Sequence, residues 1–182
     1  MHDAMVTTLR NIAAEAGASG AGVAQVDQIA FHREFRAACV QNLCGKYGTN
    51  WMCPPDVGDI DAMIAQAKTY RSILVFQTIH PLEDSFDIEG MEEAAVKHNA
   101  LALALTEKLE GVLDSPLRLG AGACQVCPCC TRVQHLPCPY PRQATASLES
   151  YGIHVAELAA LCGLSYINGA NTVTYFGGFL FS

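Results

Sequence analysis

The chain has 182 residues, 51% of them hydrophobic, and a formal net charge of −7. This length predicts one domain with a substantial buried core, and the eleven Lys and Arg are scattered, which excludes the basic stripe typical of nucleic-acid-binding proteins. The start of the chain lacks the features of a signal peptide, and the most apolar run, Ala100–Leu105, is too short to cross a bilayer. We therefore expect a cytoplasmic protein with neither nucleic-acid nor membrane partners. The sequence leaves its oligomeric state open.

Hydrophobic periodicity and capping residues predict helices and strands that alternate along the chain. The predicted helices cover residues 5–16, 33–39, 59–70, 89–113 and 147–161, with Asp59 and Ser147 as N-caps and Gly163 as the stop of the last helix. The predicted strands cover residues 22–31, 72–79, 116–122 and 171–181. This interleaving predicts an α/β fold, in which a single sheet of mixed or partly antiparallel strands carries packed helices. The sequence does not determine the strand order.

The nine cysteines concentrate in two loops, residues 36–55 and residues 122–141. We name these the upstream loop and the downstream loop. Structural disulfides are disfavoured in a reducing cytoplasm, and an odd number cannot pair fully, so clustered cysteines indicate metal binding or catalysis. We predict that residues 1–182 form one α/β metal-binding domain that carries both segments as ferredoxin-like metal loops.

The downstream loop has the pattern Cys124-x2-Cys127-x2-Cys130-x7-Cys138, and a proline follows the last cysteine. A 4Fe-4S cluster needs four thiolates; a C-x2-C-x2-C run holds three corners and a more distant Cys supplies the fourth. Because the last spacing is seven rather than three, Cys138 either completes this cluster or serves a second one. Zinc is the alternative metal, held by Cys124 and Cys127 with His135 as a further ligand.

Cys129 lies directly before Cys130, so either thiol is a candidate for the third ligand of the downstream loop. Cys130 continues the repeated x2 spacing of known cluster loops, whereas Cys129 would give C-x2-C-x-C. We prefer Cys130 on this ground, which leaves Cys129 as a free thiol.

The upstream loop contains Arg36-x2-Cys39-x4-Cys44, followed by Cys53 and two prolines. Alone, it is as consistent with three buried thiols packed around Trp51 as with a metal site, but beside the downstream loop it predicts a second metal site. Three thiols do not complete a cube. The candidates for the fourth position are Cys138, Cys129, Cys162, a histidine, or an open position where iron binds water or a substrate.

Other potential ligands lie outside the two loops. Cys162 follows a predicted helix beside leucines, and we interpret it as a small core residue. We interpret the remaining histidines as surface or capping residues rather than ligands, namely His32, His80, His98 and His154.

Three segments, "RAACVQNLCGKYGTNWMCPP", "GACQVCPCCTRVQHLPCPYPRQATASLESYGIHV" and "NTVTYFGGFLF", resemble the DUF2284 family of prokaryotic predicted metal-binding proteins. The resemblance covers nearly the whole chain, with the motifs in the family's order. The family pattern falls on Arg36, Cys39, Cys44, Cys53, Cys124, Cys127, Cys130, Cys138, Pro141, Ser147, Glu149, Gly152 and Ile153. The resemblance implies cysteine-bound metal of the iron–sulfur type and carries no role onto Cys129. It implies no particular reaction.

Three functions are consistent with these observations. We prefer an iron–sulfur protein, with one or two 4Fe-4S clusters and two as the main prediction, that transfers electrons to or from a redox partner protein or a small molecule. The second is an enzyme whose open-site cluster at the upstream loop acts on a small molecule. The third is a structural zinc protein. No residue has the context of a general base, which places the enzyme below the electron carrier.

Overall fold

A computed structural model describes residues 2–182, with four strands and five α-helices in this range. The strands are β1 (Gly20–Gln25), β2 (Ser72–Pro81), β3 (Leu117–Leu119) and β4 (Thr172–Phe181). The helices are α1 (His2–Glu15), α2 (Phe35–Val40), α3 (Ile60–Ala67), α4 (Ile88–Leu109) and α5 (Val155–Leu161). Short 3-10 turns cover Val26–Gln28, Thr131–Gln134 and Glu149–Tyr151. None of the helices in residues 2–182 is both long enough and apolar enough to span a bilayer.

The four strands form one antiparallel sheet in the order β1-β2-β4-β3. The central pair is the longest, since Ser72–Pro81 pairs along its whole length with Thr172–Phe181. Both faces of β2 are covered, which explains why its centre is the unbroken apolar run Ile73–Phe76 rather than an alternating pattern. The predicted α/β fold with a single sheet and packed helices is therefore confirmed.

Helices cover the two faces of the sheet, and each face has its own core. On one face, α1 and α4 pack Leu9 and Leu105 against Phe76 and Phe179. On the other face, α3 and α5 join a larger core. Period-two alternation along β2 assigns successive side chains to the two cores, with Leu74 and Phe76 in the first and Ile73 and Val75 in the second. Burial on both faces therefore fixes the register of the sheet.

The predicted helix over residues 147–161 is wrong in its first half. Residues Glu149–Tyr151 form a 3-10 turn, and Gly152 then adopts a left-handed φ of 73°. The helix α5 begins only after His154, whose side chain accepts the N–H of Glu157 as an N-cap. The chain leaves the helical path at Gly152 because the backbone of His32 passes directly against it.

His98 is a second correction, because it is 1% exposed and not a surface residue. Its Nδ1 lies 2.9 Å from Thr78 Oγ1, and its ring stacks on Phe76 with centroids 5.2 Å apart. Burial, and then the charge of His80, lower the pKa of His98 to about 4. The imidazole is therefore a neutral core group at pH 7. The sequence interpretation failed because a polar residue on a helix is exposed more often than not.

The segment that follows the downstream loop, residues 146–153, supports both cysteine loops, and we name it the platform. Gly120, at the entrance of the downstream loop, donates its N–H to Ala146 O (2.9 Å) and accepts from Leu148 N (3.1 Å). On the upstream side, His32 N donates to Gly152 O (2.7 Å). Because seven of its eight residues are buried, the platform is part of the core and anchors both loops to it.

Gly152→Ala tests the platform. The added methyl would lie 3.1 Å from His32 O, at a φ that L-residues adopt at a cost of about 1–2 kcal/mol. We expect the free energy of unfolding in chemical denaturation to fall by about 2–3 kcal/mol. Gly111→Ala is the matched control, since Gly111 has a φ of +79° with no atom near its Cβ position. Equal losses for the two variants would contradict the contact with His32.

His98 predicts a specific pH dependence of stability. Its pKa is lowered on folding, so the unfolded chain binds the proton more tightly, and stability is lost as the pH falls from about 6.5 towards about 4. The loss at pH 4 is about 3 kcal/mol at 1.36 kcal/mol for each pKa unit. In the His98→Leu variant, the free energy of unfolding, measured by urea denaturation at several pH values in this range, should lose this part of its dependence on pH. A variant with the same slope as the parent would show that His98 is not the responsible group.

Candidate metal centre

The upstream loop leaves the sheet through α2, which carries Arg36 and Cys39. The guanidinium of Arg36 donates to Gly58 O (2.8 Å) and to Ser150 O (3.3 Å), so it closes the base of the loop and ties it to the platform. Beyond α2 the loop consists of turns as far as residue 58. Gly48 N donates to Pro54 O (2.8 Å), which folds the second half of the loop back on itself.

The downstream loop starts and ends at the platform, through the paired strand-like residues Gly120 and Ser147. Within it, residues Thr131–Gln134 form a 3-10 turn that ends at His135 with a left-handed φ of 55°. Thr131 Oγ1 donates to Pro137 O (3.0 Å), which holds the segment before Cys138 against the turn. The loop therefore presents its cysteines from a turn-rich backbone rather than from a helix or strand.

The two loops contact each other directly, and we name this contact the seam. Asn50 is 5% exposed; its Nδ2 donates to Cys124 O (2.9 Å) and its Oδ1 accepts from Met52 N (3.0 Å). The backbone N–H of Trp51 points at Cys130 Sγ at 3.5 Å, and Trp51 Nε1 donates to Leu136 O (3.0 Å). Three of these four bonds, all except the one to Met52, join residues more than 70 positions apart in the sequence.

An ion pair and an aromatic contact complete the seam. Arg132 Nε lies 2.7 Å from Asp56 Oδ2, and both side chains are mostly buried, with 18% and 16% exposed. The same guanidinium lies over the Trp51 ring at 5.3 Å from the centroid. Partial desolvation strengthens a cation–π contact of this kind. Arg132 therefore fixes the position of the aromatic ring between the two loops.

The cysteines of the two loops lie close enough to affect one another. Burial, and then the neighbouring thiols of both loops, raise the pKa of Cys53 to about 11. Burial also raises the pKa of Cys39, and burial together with other downstream thiols raises that of Cys127. The thiols that act on Cys53 are Cys44, Cys39, Cys124 and Cys130, and those that act on Cys127 are Cys138, Cys124, Cys130 and Cys129. Deprotonation of these thiols is therefore unfavourable in the absence of a cation. A bound metal ion would stabilise the thiolate forms.

Within the described residues, no group of three or more His, Cys, Asp or Glu side chains is arranged to hold a metal ion. The predicted ligands are therefore neighbours without forming a preassembled coordination site. Their assignment as ligands remains a prediction, as does the ferredoxin-like character of the loops.

Several of the candidate fourth ligands are engaged elsewhere. Cys162 packs against the core of the sheet, and burial raises its pKa to about 12, which agrees with its interpretation as a core residue. His32 contacts the carboxylates of Glu34 and Glu157, each at 3.1 Å, and His154 caps α5. The thiols in reach of the upstream set therefore come from the downstream loop.

A cavity of about 210 Å³ lies between the two loops. At about 30 Å³ for each water molecule, it has room for about seven waters, and so for a small inorganic centre. The residues that line it are Lys46, Thr49, Asn50, Ala123, Cys124, Gln125, Cys127, Pro128, Cys129, Cys130 and Val133. Four soft thiol donors around one small cavity fit an iron–sulfur cluster or zinc.

The charges around the site were not recognised in the sequence. Neither loop contains an Asp or a Glu, although the chain has 18 such residues. Arg118 on β3 is partly buried, makes no ion pair within the described residues, and lies close enough to Cys124 for the two to interact electrostatically. It donates instead to Thr106 Oγ1 (3.4 Å) and to Gln143 O. A count of Asp and Glu in the two loops would have revealed the missing carboxylates from the sequence, whereas the position of Arg118 depends on the fold.

Comparison with protein families gives one match. The family model described as "Predicted metal-binding protein (DUF2284)" matches residues 23–181, which include both cysteine loops, the platform and most of the sheet. No curated protein and no solved structure matches the chain.

Asn50→Ala tests the seam. The substitution leaves the buried carbonyl of Cys124 and the N–H of Met52 without their partners, and each unsatisfied buried group costs about 1–3 kcal/mol. We expect the free energy of unfolding to fall by about 2 kcal/mol or more, measured by urea denaturation. Gln134→Ala, at an exposed position of the same downstream loop, is the control and should change it by less than about 0.5 kcal/mol. Similar values for both variants would mean that the seam does not stabilise the protein.

Proposed function

The chain belongs to the DUF2284 family of predicted metal-binding proteins, and on this premise we propose that it binds two 4Fe-4S clusters and transfers electrons in the cytoplasm. The upstream cluster would be held mainly by Cys39, Cys44 and Cys53. The ligands of the downstream cluster come from Cys124, Cys127, Cys130 and Cys138. The partner would be a redox protein or a small molecule that accepts or donates single electrons.

The observation that carries this proposal is the convergence of the two cysteine loops. Two segments far apart in the sequence rest on one platform, meet at the seam, and enclose a cavity lined by four thiols. A single structural zinc ion needs four ligands and would use only half of the eight thiols in the two loops. The two loops carry eight thiols, one more than the seven named above as ligands, and two cubic clusters need eight.

The electrostatics support an anionic metal–thiolate centre. The loops lack carboxylates, and Arg36 and Arg118 each bond only to neutral acceptors while their charges act on Cys39 and Cys124. Both arginines are partly buried, and a guanidinium removed from water without a counter-charge is unfavourable. Clusters bound by four thiolates carry negative charge, so each arginine would gain the counter-ion that the polypeptide does not supply.

When bound, iron–sulfur clusters supply one-electron redox chemistry. The residues of this chain would hold the cluster thiolates and control the access of water. Trp51 lies between ligands of the upstream loop and is held by Leu136 O and Arg132, so its ring is placed to shield the seam from solvent. Neutral hydrogen-bond donors at the thiols, such as the Trp51 N–H, tune the reduction potential.

Metal analysis after anaerobic purification tests the proposal. We expect about eight iron and eight sulfide ions for each chain, and an EPR signal that appears on reduction and disappears on reoxidation. About four irons would indicate one cluster. Zinc without sulfide would establish the structural zinc alternative, and turnover of a small molecule at an iron left open by the protein would favour the enzyme alternative.

Trp51→Ala tests the shielding role. Loss of the ring opens the seam to water and oxygen, and we expect the loaded protein to lose its visible cluster absorbance several-fold faster in air. Trp51→Phe, which keeps an aromatic surface but loses the bond to Leu136 O, should lie between the parent and the alanine variant. An unchanged cluster lifetime in Trp51→Ala would contradict the shielding role.

A further inference from the structure

We propose that the adjacent cysteines Cys129 and Cys130 serve different metal sites. This inference rests on the proposed function and changes the ligand assignment. Cys130 completes the upstream site, although it lies in the downstream loop, and Cys129 takes its place downstream. The two ligand sets are then Cys39, Cys44, Cys53 and Cys130 in the upstream site, and Cys124, Cys127, Cys129 and Cys138 in the downstream site.

The position of the Cys130 thiol supports its transfer to the upstream site. Its Sγ lies 3.5 Å from the backbone N–H of Trp51, which is two residues before Cys53. The sulfur is therefore in contact with the backbone of the upstream loop. Backbone N–H groups directed at sulfur are a common way in which a protein tunes a thiolate ligand of a cluster.

The two adjacent thiols differ in their surroundings. Cys130 Sγ lies against the backbone N–H of Trp51 in the upstream loop. Cys129 is exposed, and its Sγ lies 3.9 Å from Cys130 O. Cys130 is therefore the better placed of the two thiols to serve the upstream site.

The downstream site keeps four thiols without Cys130. Cys129 lines the inter-loop cavity together with Cys124 and Cys127. Thr131 Oγ1 donates to Pro137 O (3.0 Å), which holds the residue before Cys138 against the turn that follows these cysteines. Cys130 also lines the cavity, as expected for a residue at the boundary between the two sites.

This assignment removes two difficulties of the spacing argument. The upstream loop has three cysteines and no fourth ligand of its own, and the downstream loop has five cysteines, one of which has no role. Moving Cys130 gives each site four thiols. The exposed Cys129 is then a ligand and not a spare thiol.

Single Cys→Ser variants of the full-length protein, loaded with iron and sulfide under anaerobic conditions, test this assignment. Cys53→Ser defines the EPR spectrum that remains when the upstream site is lost, and Cys127→Ser defines the spectrum that remains when the downstream site is lost. We expect Cys130→Ser to retain the same spectrum as Cys53→Ser and Cys129→Ser the same as Cys127→Ser, each with iron reduced from about eight to about four for each chain. Cys162→Ser is the control and should keep both spectra, because Cys162 packs in the core.

The inference is overturned if Cys130→Ser retains the same spectrum as Cys127→Ser, or if Cys129→Ser keeps both clusters. Because a damaged site can unsettle the neighbouring loop, Cys129→Ser decides the matter if Cys130→Ser loses all iron. Far-UV circular dichroism of each variant confirms that the sheet is folded. A parent protein that binds no iron would instead contradict the proposed function itself.

Discussion

The candidate metal centre depends on one constraint, which is the attachment of both cysteine loops to the platform of residues 146–153. The platform pairs with Gly120 through backbone hydrogen bonds, and one of its carbonyl groups accepts a hydrogen bond from Arg36. The backbone N–H of His32 donates to Gly152, which has a left-handed conformation. The side chains of the platform are largely part of the hydrophobic core. These contacts fix the ends of both loops to the hydrophobic core, although the loops contain almost no regular secondary structure of their own.

Charges are distributed unevenly around the two cysteine loops. The polypeptide is acidic as a whole, yet its two cysteine loops have no carboxylates, and two arginines beside them bond only to neutral groups. One acidic residue, Asp56, approaches the seam and is already paired with Arg132. In a medium of low dielectric constant, unbalanced positive charge favours an anion. This arrangement supports the proposed anionic centre, whose position between the loops follows from their convergence.

Local patterns were sufficient for the strands, for most of the helices and for the grouping of the cysteines. Asp59 caps α3 as predicted, and the buried run at β2 and the closing strand β4 lie where their hydrophobicity indicates. The strand order, the seam and the platform depend on contacts between distant residues, which no local period encodes. The hydrogen bond between Asn50 and Cys124 joins residues 74 positions apart. The need for glycine at position 152 depends on the nearby backbone of His32, which is distant in the sequence.

The closure of the downstream loop at Gly120 and Ser147 has a consequence for ion affinity. A flexible segment loses conformational entropy when its ends are brought together, and this cost must be met before any ligand inside it can chelate. In this protein the burial of the hydrophobic core offsets that entropy loss during folding, because the two ends of the downstream loop are part of the folded sheet and platform. Chelation then has to order only the interior of the loop. Changes at the stem, far from any sulfur atom, should weaken ion uptake as effectively as changes nearer the thiols.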